Sequence, residues 1–141
     1  MEGDFESGST QLTEGESYER VVDGLRLSAD GAKHLAYLLT DANWARVGWG
    51  LECIRKAIAD RSHMGREADH IVSPEIPRQS DFTITKAFLR HMDGLRAAIG
   101  GLRQMGVYHR KQEHWIHWAG KLQDMQDKAG TLLKRTTASL H

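Results

Sequence analysis

Both prolines of this 141-residue chain, Pro74 and Pro77, fall within one short segment. Proline lacks a backbone N–H and disfavours the helical conformation of the residue before it, so a regular helix cannot pass through this segment. On either side the apolar residues recur at steps of three and four, which is the period of an α-helix buried on one face. The sequence therefore predicts an all-α protein with one long loop, at about residues 62–80.

Three long helices are expected, and the bundle is predicted to begin at Ser28, whose hydroxyl can accept hydrogen bonds from the first backbone N–H groups of a helix. The predicted helices cover residues 28–60, 80–106 and 107–138. The short connection between the last two predicts antiparallel neighbours, as in helical bundles. The expected fold is an antiparallel bundle of three long helices in residues 28–141, preceded by a short helix or extended segment at residues 17–27.

The first 27 residues differ in charge from the rest of the chain. They contain seven acidic and two basic side chains, a net charge of −5, and the remainder carries +5. Up to Glu16 this acidic arm is rich in glycine, serine and glutamate, so it buries too little apolar surface to offset its ordering entropy. We expect residues 1–27 to be flexible or to dock on a neighbouring copy.

Composition limits the class of protein. A single cysteine, Cys53, cannot form an internal disulfide, and no apolar run approaches the length of a membrane span. With 19 basic and 19 acidic side chains, the chain does not have the charge of a general polyanion binder. A cytoplasmic location, or one within a virion or other protein assembly, is expected, with no membrane contact.

The predicted first helix is apolar on two sides, which requires cover on two sides. A three-helix bundle supplies only part of that cover, so a second subunit is expected to supply the rest. The predicted interface residues are Trp44, Val47, Leu51, Ile54, Ile58 and Ile116. The leading hypothesis is a non-catalytic interaction or assembly subunit, self-associating or part of a larger phage or bacterial complex, with no cofactor.

A metal site is the first alternative. Asp60, His63, Glu67 and His70 follow one another at steps of three, four and three, which would align them on one helix face. Carboxylate and imidazole groups are ligands for zinc, iron or manganese. The Glu67-x-x-His70 spacing resembles that of ferritin-like di-iron bundles, a resemblance that implies a second ligand set from another copy.

Nucleic-acid binding is the second alternative. Lys121, Lys128 and Lys134 would form a basic face on the last helix. The pairs Arg103…His109 and Arg110…His117 are similar to the Arg-x(4–6)-His element of HEPN-type ribonucleases, and the resemblance implies RNA cleavage. No Gly-x-Ser-x-Gly element or phosphate-binding glycine loop occurs in the sequence, so an enzyme is not favoured.

Overall fold

The computed structural model describes residues 12–62, 77 and 79–138, and the described part is helical without strands. Its four helices are α1 Glu14–Leu39, α2 Ala42–Ser62, α3 Ile84–Tyr108 and α4 His114–Ala138. The all-α prediction is confirmed, whereas the number of long helices is four rather than three. None of these helices combines the length and apolarity needed to cross a bilayer.

The N-terminus of α1 is fixed by a reciprocal pair of hydrogen bonds. The Thr13 hydroxyl accepts from the Glu16 backbone N–H at 3.1 Å, and the Glu16 carboxylate accepts from the Thr13 N–H at 2.9 Å. These bonds lower the pKa of the Glu16 carboxyl below its ordinary value. The prediction that the helix begins at Ser28 is therefore wrong: Ser28 lies buried in the middle of α1, whose cap is Thr13.

The predicted helix over residues 28–60 is also wrong, because the chain turns at Thr40. This residue has a left-handed backbone, with φ 49°, and its N–H returns to carbonyl groups of the last turn of α1. The Asp41 carboxylate then accepts from the Asn43 N–H at 2.8 Å, which starts α2. The apolar residues assigned to one helix are thus divided between two helices that pack on each other.

Helices α1 and α3 form an unusually close antiparallel pair. Gly24 lies against Ala98 near the middle of both helices, and Gly31 lies against Ala87 near one end. A Cβ atom on Gly24 would stand 2.7 Å from the Ala98 backbone nitrogen, well inside van der Waals contact. The backbones therefore meet directly along a stripe of small residues.

The other two helices pack on this pair, α2 against α1 and α4 against α3. Lys33 on α1 and Glu52 on α2 form a largely buried ion pair at 2.5 Å. Apolar side chains from all four helices fill the core, with Leu25, Leu51, Leu102 and Leu122 fully buried. Because α2 and α4 make few direct contacts with each other, an open space remains between them.

Candidate functional site

The space between α2 and α4 is a groove of about 1050 Å³, here called the α2/α4 groove. Val47 and Ile54 line its α2 wall, and Met125 and Leu132 line its α4 wall. All four side chains are half-buried by the chain's own packing and half-open to the groove. The walls are therefore apolar, as is usual for binding sites.

His91 of α3 lies at the floor of the groove and is completely buried. Its Nδ1 is 3.1 Å from the Ser28 carbonyl oxygen and 2.9 Å from the Ser28 hydroxyl, so Nδ1 carries the proton and donates to α1. Desolvation lowers the pKa of His91 to about 4, against a smaller opposing effect of the Ser28 hydrogen bond. The ring is thus neutral at pH 7.

The other ring nitrogen of His91, Nε2, is a buried acceptor without a hydrogen-bond partner in the described part of the chain. The indole ring of Trp44 stands perpendicular to the imidazole, with centroids 5.4 Å apart. The indole Nε1 donates to the Thr136 hydroxyl at 3.0 Å, which fixes the Trp44 ring beside the histidine. The floor is therefore rigid, aromatic and uncharged.

Charge is distributed unevenly along the groove. Lys121, Lys128 and Arg135 border it at intervals of seven residues and are exposed. Lys121 and Lys128 each precede an apolar wall residue by four positions, so they lie on the same face of α4 as that wall. The α2 wall has no charged lining residue in the described structure.

Two carboxylates also line the groove. Asp124 pairs with Lys128 at 3.0 Å, and Asp127 accepts from the Gln123 amide at 3.1 Å. Asp127 is two positions from Met125, so it lines the groove on a different part of the α4 surface from the apolar wall residues. The three basic and two acidic side chains that line the groove on α4 leave this edge with a net charge of +1, and Lys121 and Arg135 are the basic groups outside the Asp124–Lys128 pair.

The six predicted interface residues are divided between the core and this groove. Trp44, Leu51 and Ile58 are buried within the chain's own core, with at most 1% of their surface exposed. Val47 and Ile54 line the groove, and Ile116, at its end, is 56% exposed. Only these last three are accessible to a partner.

The other candidate residues do not converge in the described structure. Asp60 is exposed and pairs with Lys56 at 3.5 Å, whereas the metal candidates His63, Glu67 and His70 lie outside the described residues. Within the described ranges, no three histidine, cysteine or carboxylate side chains are placed to hold a metal ion. The metal hypothesis stays a prediction.

The three lysines of the predicted nucleic-acid-binding face do not share one surface. Lys121 and Lys128 border the groove, and Lys134 does not. Of the arginine–histidine pairs, Arg103 donates to the Gln123 amide oxygen at 3.1 Å, and His109 contacts Glu14 at 2.7 Å. Arg110 and His117 line a second surface pocket, of about 710 Å³, with the exposed Glu113. The nucleic-acid hypothesis stays a prediction too.

Sequence reasoning missed His91 altogether. A lone histidine beside the apolar positions of a helix has the same pattern whether it is packed in a core or lines a groove. His91 lies three positions before Gly94, which marks the close contact of α3 with α1. That contact is visible in the structure and not in the sequence. Comparisons with protein-family models, curated proteins and solved structures give no match to this chain.

Proposed function

We propose that this protein is an interaction subunit whose α2/α4 groove binds an amphipathic, acidic helix of a partner protein, with no catalysis in the groove. The observation that supports the proposal is the groove itself, with apolar walls and a positive edge on α4 only. A cytoplasmic location, or incorporation into a larger phage or bacterial assembly, belongs to the same proposal.

The shape of the groove suits a helix. On α4 its lining extends from Ile116 to Arg135, about 28 Å at 1.5 Å per residue, and on α2 from Trp44 to Ile54, about 15 Å or nearly three helical turns. Two helices on a common support leave between them the space in which a further helix can pack, and helix-in-groove binding is a common mode of peptide recognition. A partner helix would bury residues at i, i+4 and i+7 against Val47, Ile54 and Met125.

The positive edge suits acidic side chains on one flank of that helix. Exposed ion pairs contribute only about 0.5 kcal/mol each, so these charges would set orientation and specificity, and the apolar walls would supply most of the affinity. The spacing of Lys121, Lys128 and Arg135 matches acidic residues repeated every seven positions.

The first test compares two designed helical peptides that share a leucine stripe and differ in one flank. One carries glutamate at heptad spacing and the other carries lysine at the same positions. In fluorescence anisotropy titrations, we expect the glutamate peptide to bind about 5-fold more tightly, because pairs with Lys121 and Arg135 sum to about 1 kcal/mol and Lys128 is already paired with Asp124.

Paired variants locate the binding surface. Ile54→Asp puts a charge in the groove wall and is expected to weaken binding of the glutamate peptide by at least about 10-fold. The matched control is Leu89→Asp, because Leu89 is apolar, 52% exposed and outside the groove, and this change should leave the affinity unchanged. Circular dichroism establishes that both variants are folded.

Two results would contradict the proposal. Equal affinity for both peptides would contradict the proposal that the partner helix is acidic. Light scattering that shows a dimer, dissociated by Ile54→Asp and retained in Leu89→Asp, would assign the groove to a second copy of this chain instead of a partner.

A further inference from the structure

A second cluster of polar side chains lies at the opposite end of α1 from Thr13, outside the α2/α4 groove. It joins Asp30 and His34 of α1 to Ser80, in the segment before α3, and to Arg90 of α3. The Ser80 hydroxyl oxygen is 2.6 Å from His34 Nδ1, and His34 Nε2 is 3.7 Å from an Asp30 carboxylate oxygen. The imidazole of His34 thus lies between the Ser80 hydroxyl and the Asp30 carboxylate.

The groups around His34 favour one tautomer of its imidazole ring. The Phe82 backbone N–H donates to the Ser80 oxygen at 3.1 Å, so that oxygen already accepts one bond. The Ser80 hydroxyl can donate its proton to His34 Nδ1 when the imidazole proton is on Nε2, the tautomer that the nearby Asp30 carboxylate favours. The imidazole proton is then on Nε2, on the side of Asp30.

The histidine is held in this orientation from two further sides. Its ring lies against Phe82 with centroids 4.3 Å apart. The Arg90 guanidinium donates to the other oxygen of Asp30 at 2.7 Å and stands 5.5 Å from the Phe82 ring centroid. Asp30 is therefore fixed by Arg90 while it faces the imidazole.

The side chains of the cluster are partly exposed. The His34 side chain is 17% exposed and that of Asp30 is 43% exposed, and Ser80 is partly exposed. A nucleophile within hydrogen-bonding distance of a base that a third group orients is the arrangement that activates serine.

We propose that Ser80 is a nucleophile that reacts with small carboxylic esters, with His34 as its general base and Asp30 as a positioning residue. This activity is independent of the groove and goes beyond the proposed interaction. Asp30 and His34 are one helical turn apart on α1, whereas Ser80 lies 46 positions after His34.

The reaction balances with water as the only co-reactant. The Ser80 oxygen attacks the ester carbonyl carbon and forms a C–O bond while its proton passes to His34 Nδ1. The C–O bond to the leaving alcohol breaks, the alcohol takes that proton, and an acyl-Ser80 ester remains. Water then attacks this ester and gives one proton to Nδ1. The bond to Ser80 breaks, Ser80 recovers the proton, and a carboxylic acid is released.

Covalent labelling of the full chain tests the proposal without requiring turnover. A fluorophosphonate probe is added, and the labelled peptide is identified by mass spectrometry. We expect one label, on Ser80, and none on Ser80→Ala. His34→Gln should react about 100-fold more slowly, since glutamine fills the site without acting as a base.

Asp30→Asn tests the positioning role, with an expected loss of about 10-fold in labelling rate that Asp30→Glu partly restores. The matched control is His117→Gln, an exposed histidine of α4, which should label at the wild-type rate. A second readout is the burst of 4-nitrophenol from 4-nitrophenyl acetate, with one equivalent expected for each folded chain.

Absence of label on Ser80 would overturn the proposal. Equal labelling of wild type and His34→Gln would overturn it as well, provided that circular dichroism shows both to be folded. If His34→Gln does not fold, Asp30→Asn decides in its place, and an unchanged rate there contradicts the role of Asp30.

Discussion

Gly94→Ala is expected to lower the free energy of unfolding by about 3 kcal/mol, although alanine favours helix over glycine by about 1 kcal/mol. The added methyl group would stand 2.5 Å from the Gly24 carbonyl oxygen and closer still to the Ser28 backbone nitrogen. Both neighbours are backbone atoms of α1, so they cannot rotate away as a side chain would. The helices must separate, and the contacts along the whole α1/α3 pair are lost together.

The matched control is Gly100→Ala, six positions later in the same helix, where a Cβ atom would meet nothing within 4 Å. Here only helix propensity acts, and the free energy of unfolding should rise by about 0.5–1 kcal/mol. Urea denaturation of the two variants measures both effects. Equal effects of the two alanines would contradict the close approach of α1 and α3.

Acidification from pH 7 to about pH 4.5 is expected to remove about 2–3 kcal/mol of the free energy of unfolding through His91 alone. The pKa of the buried imidazole is lowered to about 4, whereas in the unfolded chain it returns to the ordinary value of 6.5. Between these values the unfolded state binds the proton and the folded state does not. Stability is therefore kept above about pH 6.5 and lost as the pH falls toward 4.

Urea denaturation across this pH range measures the loss, with His91→Asn as the comparison. The asparagine amide can replace the Nδ1 donor to the Ser28 carbonyl oxygen, so the variant keeps a hydrogen bond and loses the titrating group. Its stability should depend less on pH, by about the same 2–3 kcal/mol. Parallel pH profiles for wild type and variant would contradict the burial of His91.

The helical class followed from periodicity and proline placement, but the number of helices did not. Thr40 interrupts the chain with a single left-handed residue, and threonine is not a usual signal for that conformation. The apolar steps of three and four continue on both sides of the turn, so the pattern gives no sign of it. The cap at Thr13 did have a sequence signal, the Thr13-x-x-Glu16 pattern of a capping box, but Ser28 followed by Asp30 has the composition of a helix start as well.

The candidate site was predictable only in part, for a related reason. Val47 and Ile54 were identified as interface residues because they are apolar, and they do line the groove. Trp44 was identified by the same criterion, yet it packs inside the chain. Apolar character indicates burial, but whether the chain itself or a partner supplies it depends on helix positions. The Ser80–His34 contact joins residues 46 positions apart, which periodicity cannot place together.

Reversal of the charges on the α4 edge is the most direct measurement of the central claim, that this edge selects an acidic helix. The variant combines Lys121→Glu, Lys128→Glu and Arg135→Glu, all at exposed positions, so the fold should be retained. Anisotropy titrations with the glutamate and lysine peptides should show an inverted preference, with the lysine peptide binding about 10-fold more tightly to the variant. A preference that stays the same in wild type and variant would contradict the claim.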